Sequence, residues 1–267
     1  MKVLFAIDAT DHWHAAAKAV GRFVAAAGGE VAILAAVRRE KARRTALEAA
    51  RRLLDLSEGA LSTKIRRGFL ETALAEAARE ETFDLVVVPP LGMRDTLTGG
   101  HLRSTIARRV HASTLLLRRG RGHPRRILVC TQGPLHGLDN LEAASTLARV
   151  FEAEITVLHV ASAFPLTAEA TAEMERLTEH FLETDTPEAR HLREVEQSLA
   201  RRGLAGRLKV RFGVVVDEIL DEVVEGKHDL LVVGAHHPTR DDYLLADVTG
   251  NVVRDSPVST LVVRKRA

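Results

Sequence analysis

Residues 84–90 read DLVVVPP and residues 229–235 read DLLVVGA, so one short apolar segment occurs twice in the chain. In both copies an aspartate precedes four consecutive apolar residues. Unbroken apolar runs of this length are typical of central parallel strands that are covered on both faces. The segment therefore predicts a parallel sheet with helices on either side.

The rest of the chain follows the same duplication. Three further pairs of segments align: 2–8 (KVLFAID) with 126–132 (RILVCTQ), 30–37 (EVAILAAV) with 154–161 (EITVLHVA), and 114–119 (TLLLRR) with 260–265 (TLVVRK). The first two pairs are 124 residues apart, whereas the last is 146 apart. Most of this increase is an insertion of about 21 residues between the second and third strands of the second copy.

Within each copy, strand-like runs alternate with amphipathic helical patterns, as in the crossover units of a parallel sheet. We predict five strands and four helices per copy. In the first copy, Thr10 or Asp11 can cap a helix that ends at Gly28. In the second copy, Thr186 and Pro187 fit the start of a new helix, so we expect two helical pieces in the insertion.

The segment RRGRGHPR at residues 118–125 has two glycines, one proline and no apolar side chain. This composition is typical of a linker. We therefore predict two domains, residues 1–120 and residues 121–267, the second with a helical insertion around residues 162–204. The predicted fold class is α/β, with two tandem, open, parallel five-stranded sheets that carry helices on both faces.

The composition excludes several classes of protein. The 267 residues are 46% hydrophobic and 28% charged, as in ordinary globular chains. The net charge is only +2 and aromatic residues make up 4%, so neither a polyanion partner nor base stacking is indicated. The single cysteine, Cys130, can form no internal disulfide, and no apolar run is long enough to span a bilayer. We expect a cytoplasmic protein with no nucleic-acid or membrane partner.

Three stretches resemble the universal stress protein family: the strand and Asp-containing turn at Val3–Thr10, LEAASTLARVFEAEITVLHV at 141–160, and VVRDSPVSTLVV at 252–263. The chain as a whole resembles a tandem pair of such domains. The resemblance implies an adenine nucleotide alpha hydrolase-like fold and a pseudo-dimer in which the copies pair through their last strands. Such pairing would also cover two apolar edge strands. A homodimer and an unknown protein partner stay open.

The resemblance also directs attention to the loop after the fourth strand. In nucleotide-binding members this loop has Gly, two residues, Gly, nine residues, then Gly and Ser or Thr. Glycines let the backbone approach phosphates, and the next helix presents free amides. In the second copy Gly234 matches, but His237 replaces the second glycine and Ala246-Asp247 replaces the final pair. A carboxylate there would repel a triphosphate unless it held a metal ion.

In the first copy, Pro89 replaces the first glycine, Gly92 and Gly100 match the second and third, and His101 follows. Gly100 would serve an ordinary turn equally well. The family's carboxylate that contacts adenosine matches Asp8 in the first copy. The candidate cofactor-binding residues are Asp8, Thr10, Gly92, Gly100, His101 and Ser104 in the first copy, and Gln132, Gly234, Asp247 and Thr249 in the second. Neither copy keeps the full set, so strong ATP binding is not expected.

The loops beside the expected crevice are rich in possible metal ligands: Asp11, His12, His14, His101, His136, His236, His237, Asp241, Asp242 and Asp247. Imidazoles and carboxylates at this density could bind a divalent ion. On a helix, however, His12 and His14 would point about 200° apart. We predict solvated loop residues and no metal site.

Other potential chemistry has little support. The sequence lacks a nucleophile elbow, a Gly-rich loop ending in Lys-Ser or Lys-Thr and a His-Glu-x-x-His helix, so no catalytic residue is assigned. Cys130 is expected to be a buried, inert thiol. His159 is expected to be a core or sheet-edge histidine with its hydrogen bonds satisfied, and His180 and His191 are expected at the surface.

The favoured hypothesis is a non-catalytic tandem universal stress protein, a stress-response binding or interaction module whose nucleotide sites are eroded. One alternative is a stress sensor that binds ATP or another adenine nucleotide in at least one half. The other is a divalent-metal-binding protein or hydrolase that uses the loop histidines and aspartates.

Overall fold

The computed structural model describes residues 1–8, 12–37, 39–66, 68–90, 99–118, 123–131, 137–161, 181, 183–235 and 248–265. The chain forms two compact units. Unit 1 consists of Met1–His123, Val253–Asp255 and Ser259–Ala267, and unit 2 consists of Pro124–Val252 and Ser256–Val258. The predicted boundary between residues 120 and 121 lies outside the described residues, and the predicted domain bounds stay a prediction.

Unit 1 has an open sheet with five parallel strands from the first copy. The strands are β1 (Lys2–Ile7), β2 (Glu30–Ala35), β3 (Leu61–Ile65), β4 (Leu85–Val88) and β5 (Ser113–Leu116). The helices are α1 (His14–Ala27), α2 (Glu40–Leu54), α3 (Leu70–Glu80) and α4 (Gly99–Arg109), with a short 3₁₀ helix at Glu58–Ala60. The strand order is β3-β2-β1-β4-β5. The predicted elements of the first copy are confirmed.

A sixth strand in unit 1 comes from the end of the chain. This strand, β10 (Ser259–Val263), pairs antiparallel with β5, and Thr260 lies opposite Leu116. Two hydrogen bonds reinforce the pair: Ser259 Oγ accepts from the amide of Arg118 at 3.1 Å, and Ser113 Oγ accepts from the amide of Arg264 at 3.1 Å. The edge of β5 is therefore covered, as its apolar sequence requires.

The two ends of helix α1 are formed by different kinds of residue. It begins at His14, with Trp13 at the N-cap position where the sequence predicted Thr10 or Asp11. The Trp13 ring is buried, and its Nε1–H donates to the Asp8 carbonyl oxygen at 3.3 Å. The helix ends as predicted at Gly28, whose φ of 63° is in the left-handed region that favours glycine.

Unit 2 repeats the architecture with four parallel strands. These are β6 (Arg126–Cys130), β7 (Glu154–Ala161), β8 (Gly206–Phe212) and β9 (Leu230–Gly234), in the order β9-β6-β7-β8. The described helices of the second copy are α5 (Gly137–Phe151), α6 (Pro187–Arg201), α7 (Val215–Glu225) and α8 (Val248–Asp255). In α8 the residues up to Val252 belong to unit 2.

Helix α6 lies between β7 and β8, in the position that α2 has between β2 and β3 of unit 1. Thr186 Oγ1 accepts a hydrogen bond from the Ala189 amide at 3.2 Å, and Pro187 occupies the first turn, so the predicted start of this helix is confirmed. The predicted first helical piece falls in residues 162–180, outside the described part of the chain. Among the described helices, none is long and apolar enough to cross a bilayer.

Candidate functional site

The carboxyl ends of the strands in unit 2 form the crevice in which an open α/β sheet usually binds its ligands. A cavity of about 50 Å³ remains there, between the ends of β6 and β9 and the start of α8. Its lining is mostly apolar: Leu158, Val160, Val215, Ile219, Val233, Val248 and Val252, together with Cys130, Thr131, Gly234 and Thr249. Two predicted residues, Gly234 and Thr249, therefore share this crevice.

The polar groups of the crevice are bonded within the protein. Thr249 Oγ1 donates to the Gly234 carbonyl oxygen at 2.8 Å. The Thr131 hydroxyl lies 2.8 Å from Nε2 of His191, and the Asn140 side-chain amide donates to the Cys130 carbonyl oxygen at 2.9 Å. Among the described residues of this crevice, the side chains of Thr249, Thr131 and Asn140 are therefore already hydrogen-bonded within the protein.

His191 corrects the sequence analysis, which expected this residue at the surface. It lies on α6, only 3% of it is exposed, and it reaches the residue that follows β6. Its neighbours Leu192, Val195 and Leu199 form the buried face of the same helix. Helical spacing from these apolar residues places His191 on the buried face, so the stripe was the signal that could have revealed it.

His159, on β7, is buried as predicted, but it is not fully satisfied. Its ring stacks on Phe181 with centroids 5.9 Å apart. Its Nδ1 has no hydrogen-bond partner among the described residues. Burial lowers the pKa of both His159 and His191 below the ordinary value for histidine. Both rings are therefore neutral at pH 7.

Cys130 is buried and unpaired, as expected for a structural thiol. Burial, and secondarily the charge of Glu222, raises the pKa of Cys130. A thiol that resists ionisation is a poor nucleophile and a poor metal ligand.

The equivalent crevice of unit 1 shows a different arrangement. Asp8 follows β1 and is half-buried. On α4, His101 is exposed, whereas Ser104 is buried. A Cβ on Gly100 would lie 2.5 Å from the Arg254 carbonyl oxygen, so this glycine is needed for close packing against the segment that contains Arg254.

The comparisons with known proteins agree with this architecture. Residues 123–264, more than half of the chain, match the sequence profile of the universal stress protein family. The chain belongs to that family. A universal stress protein of Methanocaldococcus jannaschii is 25% identical over 151 residues, which are 56% of this chain and 88% of that protein.

Solved structures resemble both halves of this universal stress protein. A universal stress protein from Archaeoglobus fulgidus DSM 4304 has a TM-score of 0.63 and 14% identity, with 99% of this chain and 96% of that one covered. A functionally unknown protein from Pseudomonas aeruginosa PAO1 has a TM-score of 0.68 and 15% identity, with 98% and 92% covered. The α/β fold class is thus confirmed over the whole chain.

Several predicted site residues lie outside the described part of this universal stress protein: Thr10, Gly92, Gln132 and Asp247, and, among the possible metal ligands, Asp11, His136, His236, His237, Asp241 and Asp242. Among the residues that are described, no three His, Cys, Asp or Glu side chains converge as a metal site would require. The nucleotide-site assignments therefore stay predictions.

Proposed function

We propose that this chain is a non-catalytic tandem universal stress protein, a stress-response binding or interaction module whose nucleotide site is eroded in both halves. The observation that carries the proposal is the cavity of about 50 Å³ in the crevice of unit 2. Small-molecule sites usually occupy roughly 300–1,000 Å³, and one water takes about 30 Å³ of liquid. The described lining of this crevice, which leaves out residues 132–136 and 236–247, thus encloses far less space than a small-molecule site usually has.

The bonding of the crevice supports the same conclusion. A phosphate would have to compete with the 2.8 Å hydrogen bond from Thr249 to the Gly234 carbonyl oxygen. Next to it, His191 on α6 lies within hydrogen-bond distance of the Thr131 hydroxyl. Displacing either bond without an equal replacement leaves a buried polar group unsatisfied, at a cost of roughly 1–3 kcal/mol each.

In unit 1 the support comes from the glycine that best fits the family pattern. Gly100 is packed against the carbonyl oxygen of Arg254, which accounts for the glycine without a phosphate. His101 follows where a hydroxyl residue would bind phosphate. Pro89 removes both the first glycine and a backbone N–H donor.

We further infer that the two halves associate through their last strands. The antiparallel pairing of β5 with β10 supports this inference. A single buried cysteine also fits the cytoplasm, because reducing conditions leave thiols unpaired. Partners outside the chain are unidentified proteins, and association into a homodimer is optional.

The test is a thermal-shift titration of the full chain with ATP, with and without Mg²⁺. A ligand at 100 times its Kd stabilises the native state by about 2.7 kcal/mol, so even moderate affinity raises Tm. We expect no concentration-dependent rise in Tm from ATP binding in either crevice. A rise that is abolished by Asp8→Asn would restore the first half as a nucleotide site, and one abolished by Thr249→Val would restore the second. Either result overturns the proposal.

A further inference from the structure

A second cavity lies at the opposite edge of unit 2, where the strands begin. It has a volume of about 550 Å³, large enough for a small metabolite. The starts of three strands and the end of α7 form it, with Arg126, Glu154, Ile155, Thr156, Ala205, Gly206, Arg207, Leu208, Lys209, Glu222, Gly226 and His228 as its lining. Three of these twelve residues are Arg or Lys, and two are Glu.

Glu222 is the acidic centre of this region and is almost completely buried. It accepts hydrogen bonds from Lys209 Nζ, from Arg211 Nη1 at 3.1 Å and from His228 Nε2 at 3.3 Å. Burial opposes its ionisation, but these bonds outweigh that effect and hold the pKa of Glu222 below its ordinary value. Its negative charge is therefore fully engaged by its own partners.

The first half has a different arrangement of charges at the corresponding edge of its sheet. In unit 1, Lys2 lies opposite Glu30 across the sheet, just as Arg126 lies opposite Glu154 in unit 2. Lys2 forms ion pairs with both Glu30, at 2.9 Å, and Glu81. The basic group at this edge of unit 1 is thus neutralised.

Glu81 also binds Lys64, at 2.7 Å. Lys64 lies beside Leu34 in the sheet, and Lys209 occupies the same register position beside Leu158. At the 145-residue offset of the flanking strands, the residue that corresponds to Glu81 is Gly226. Unit 2 has no carboxylate at this position, and Lys209 pairs with Glu222 instead.

A side chain at position 226 would collide with neighbouring side chains. A Cβ there would lie 2.2 Å from Nε2 of His228 and 2.9 Å from Oε1 of Glu222. The side chain of Arg126 is left with the Gly226 carbonyl oxygen, at 3.5 Å. Within the described ranges neither Arg126 nor Arg207 forms an ion pair, and both are exposed at the cavity.

His228 is a tightly packed part of the cavity lining. The residue is 7% exposed, and its Nδ1 has no hydrogen-bond partner in the described part of the chain. Because Nε2 faces the ionised Glu222, Nε2 carries the proton and Nδ1 is the bare nitrogen of a neutral ring. Because Nδ1 has almost no solvent-accessible surface, a molecule in the open cavity does not reach it.

We propose that this cavity, at the amino ends of the unit 2 strands, binds a small phosphorylated molecule, with the phosphate held by Arg126 and Arg207 beside Lys209. A phosphate carries about −1.5 to −2 charges at pH 7 and presents three acceptor oxygens, which suits several cations better than a lone carboxylate does. The guanidinium group of an arginine binds phosphate through paired N–H groups. The site is separate from the crevice at the carboxyl ends.

The experiment is calorimetric titration of the full chain with inorganic phosphate at pH 7 and low salt, with a parallel titration of acetate. We expect saturable phosphate binding that Arg126→Gln and Arg207→Gln each weaken about tenfold or more, since one charged hydrogen bond contributes about that much. Arg52→Gln, at an exposed arginine of α2, is the matched control and leaves the affinity unchanged. Acetate should bind more weakly than phosphate.

Three results would overturn the proposal: no saturable heat with phosphate, an affinity that neither arginine variant lowers, or acetate binding as tightly as phosphate. Because both arginines are exposed, urea midpoints should show that the variants remain folded. ATP also carries phosphates. A rise in Tm with ATP that disappears in Arg207→Gln belongs to this cavity, whereas one that disappears in Asp8→Asn or Thr249→Val contradicts the eroded nucleotide site.

Discussion

The hydroxyl oxygen of Thr131 and Nε2 of His191 lie 2.8 Å apart in a buried contact, although 60 residues separate them in the sequence. The contact holds α6 against the residue that follows β6. In an open parallel sheet this is the position at which ligands approach the first strand. Helix α6 thus lies against the crevice at the carboxyl end of β6.

The first prediction concerns this contact. His191→Leu keeps much of the volume but removes the hydrogen bond to the Thr131 hydroxyl, so the free energy of unfolding should fall by about 1–3 kcal/mol. Thr131→Val in the same background should recover part of the loss, because both polar partners are then replaced by apolar groups. Urea unfolding followed by circular dichroism measures both effects.

The control for that series is Arg190→Ala on the same helix. Arg190 is exposed, and its ion pair with Asp185, at 3.0 Å, is at the surface. Such pairs contribute about 0–1 kcal/mol. If His191→Leu lowered the free energy of unfolding no more than Arg190→Ala does, the buried contact would not hold α6 in place.

Buried histidines also predict how stability depends on pH. Burial lowers the pKa of His159, His191 and His228 in the folded protein. The unfolded chain therefore binds more protons near pH 6 than the folded protein does, and stability rises with pH. The contribution is complete above the unfolded value of about 6.5 and is lost as the pH falls towards the folded values.

Urea unfolding at about pH 7.5, 6.5 and 5.5 measures this dependence, in the range where histidine is the side chain that ordinarily titrates. The free energy of unfolding should decrease at each step, and His191→Gln should make the decrease shallower. His101→Gln, at an exposed position on α4, should leave the slope unchanged. A slope that His191→Gln does not alter would contradict the assignment.

Much of the fold could be predicted because it is encoded in local patterns. The run at Leu85–Val88 has the apolar character of a central strand, and it is one. Thr186 and Pro187 have the chemistry of a helix start, and α6 begins there. Repetition of these patterns in the same order then predicts two similar halves without any knowledge of long-range contacts.

The site was harder to predict because its contacts connect distant segments. Glu222 lies on a helix with Asp217, Glu218 and Glu225, and this pattern predicts a solvent-exposed acidic face. It is buried because β8 places Lys209 and Arg211 against it. The available signal was the repeat, which aligns these two basic residues with Lys64 and Arg66 of the first half.

Glu222 should accordingly be far more important for stability than its acidic neighbours. Glu222→Gln removes the charge that compensates Lys209 and Arg211, so we expect a loss of about 3 kcal/mol in the free energy of unfolding. This is the lower end of the range for a broken buried pair, because the Lys209 side chain is 43% exposed and can turn to water.

The matched control is Glu225→Gln, one turn further along α7. Glu225 accepts from Arg211 Nη1 at 2.8 Å, but its side chain is 60% exposed. The expected cost is about 0–1 kcal/mol, because water compensates for the lost pair. Equal losses in the two variants, measured by urea unfolding, would contradict the central role of Glu222.

The last prediction separates a packing role of Gly100 from a phosphate-binding role. In an exposed helix position, Gly→Ala should stabilise α4 by about 1 kcal/mol. Here the added Cβ would lie 2.5 Å from the Arg254 carbonyl oxygen and 3.0 Å from its Cγ, and the first of these is backbone that cannot easily move. We therefore expect Gly100→Ala to destabilise unit 1 by about 1–3 kcal/mol, as overpacking does.

Gly59→Ala is the control for this variant. With no neighbouring atom within 4 Å of its Cβ, it should change the free energy of unfolding by about 0.5 kcal/mol or less. If Gly100→Ala were as harmless as Gly59→Ala and instead removed an ATP-dependent rise in Tm, the glycine would be a nucleotide ligand and the packing explanation would be wrong.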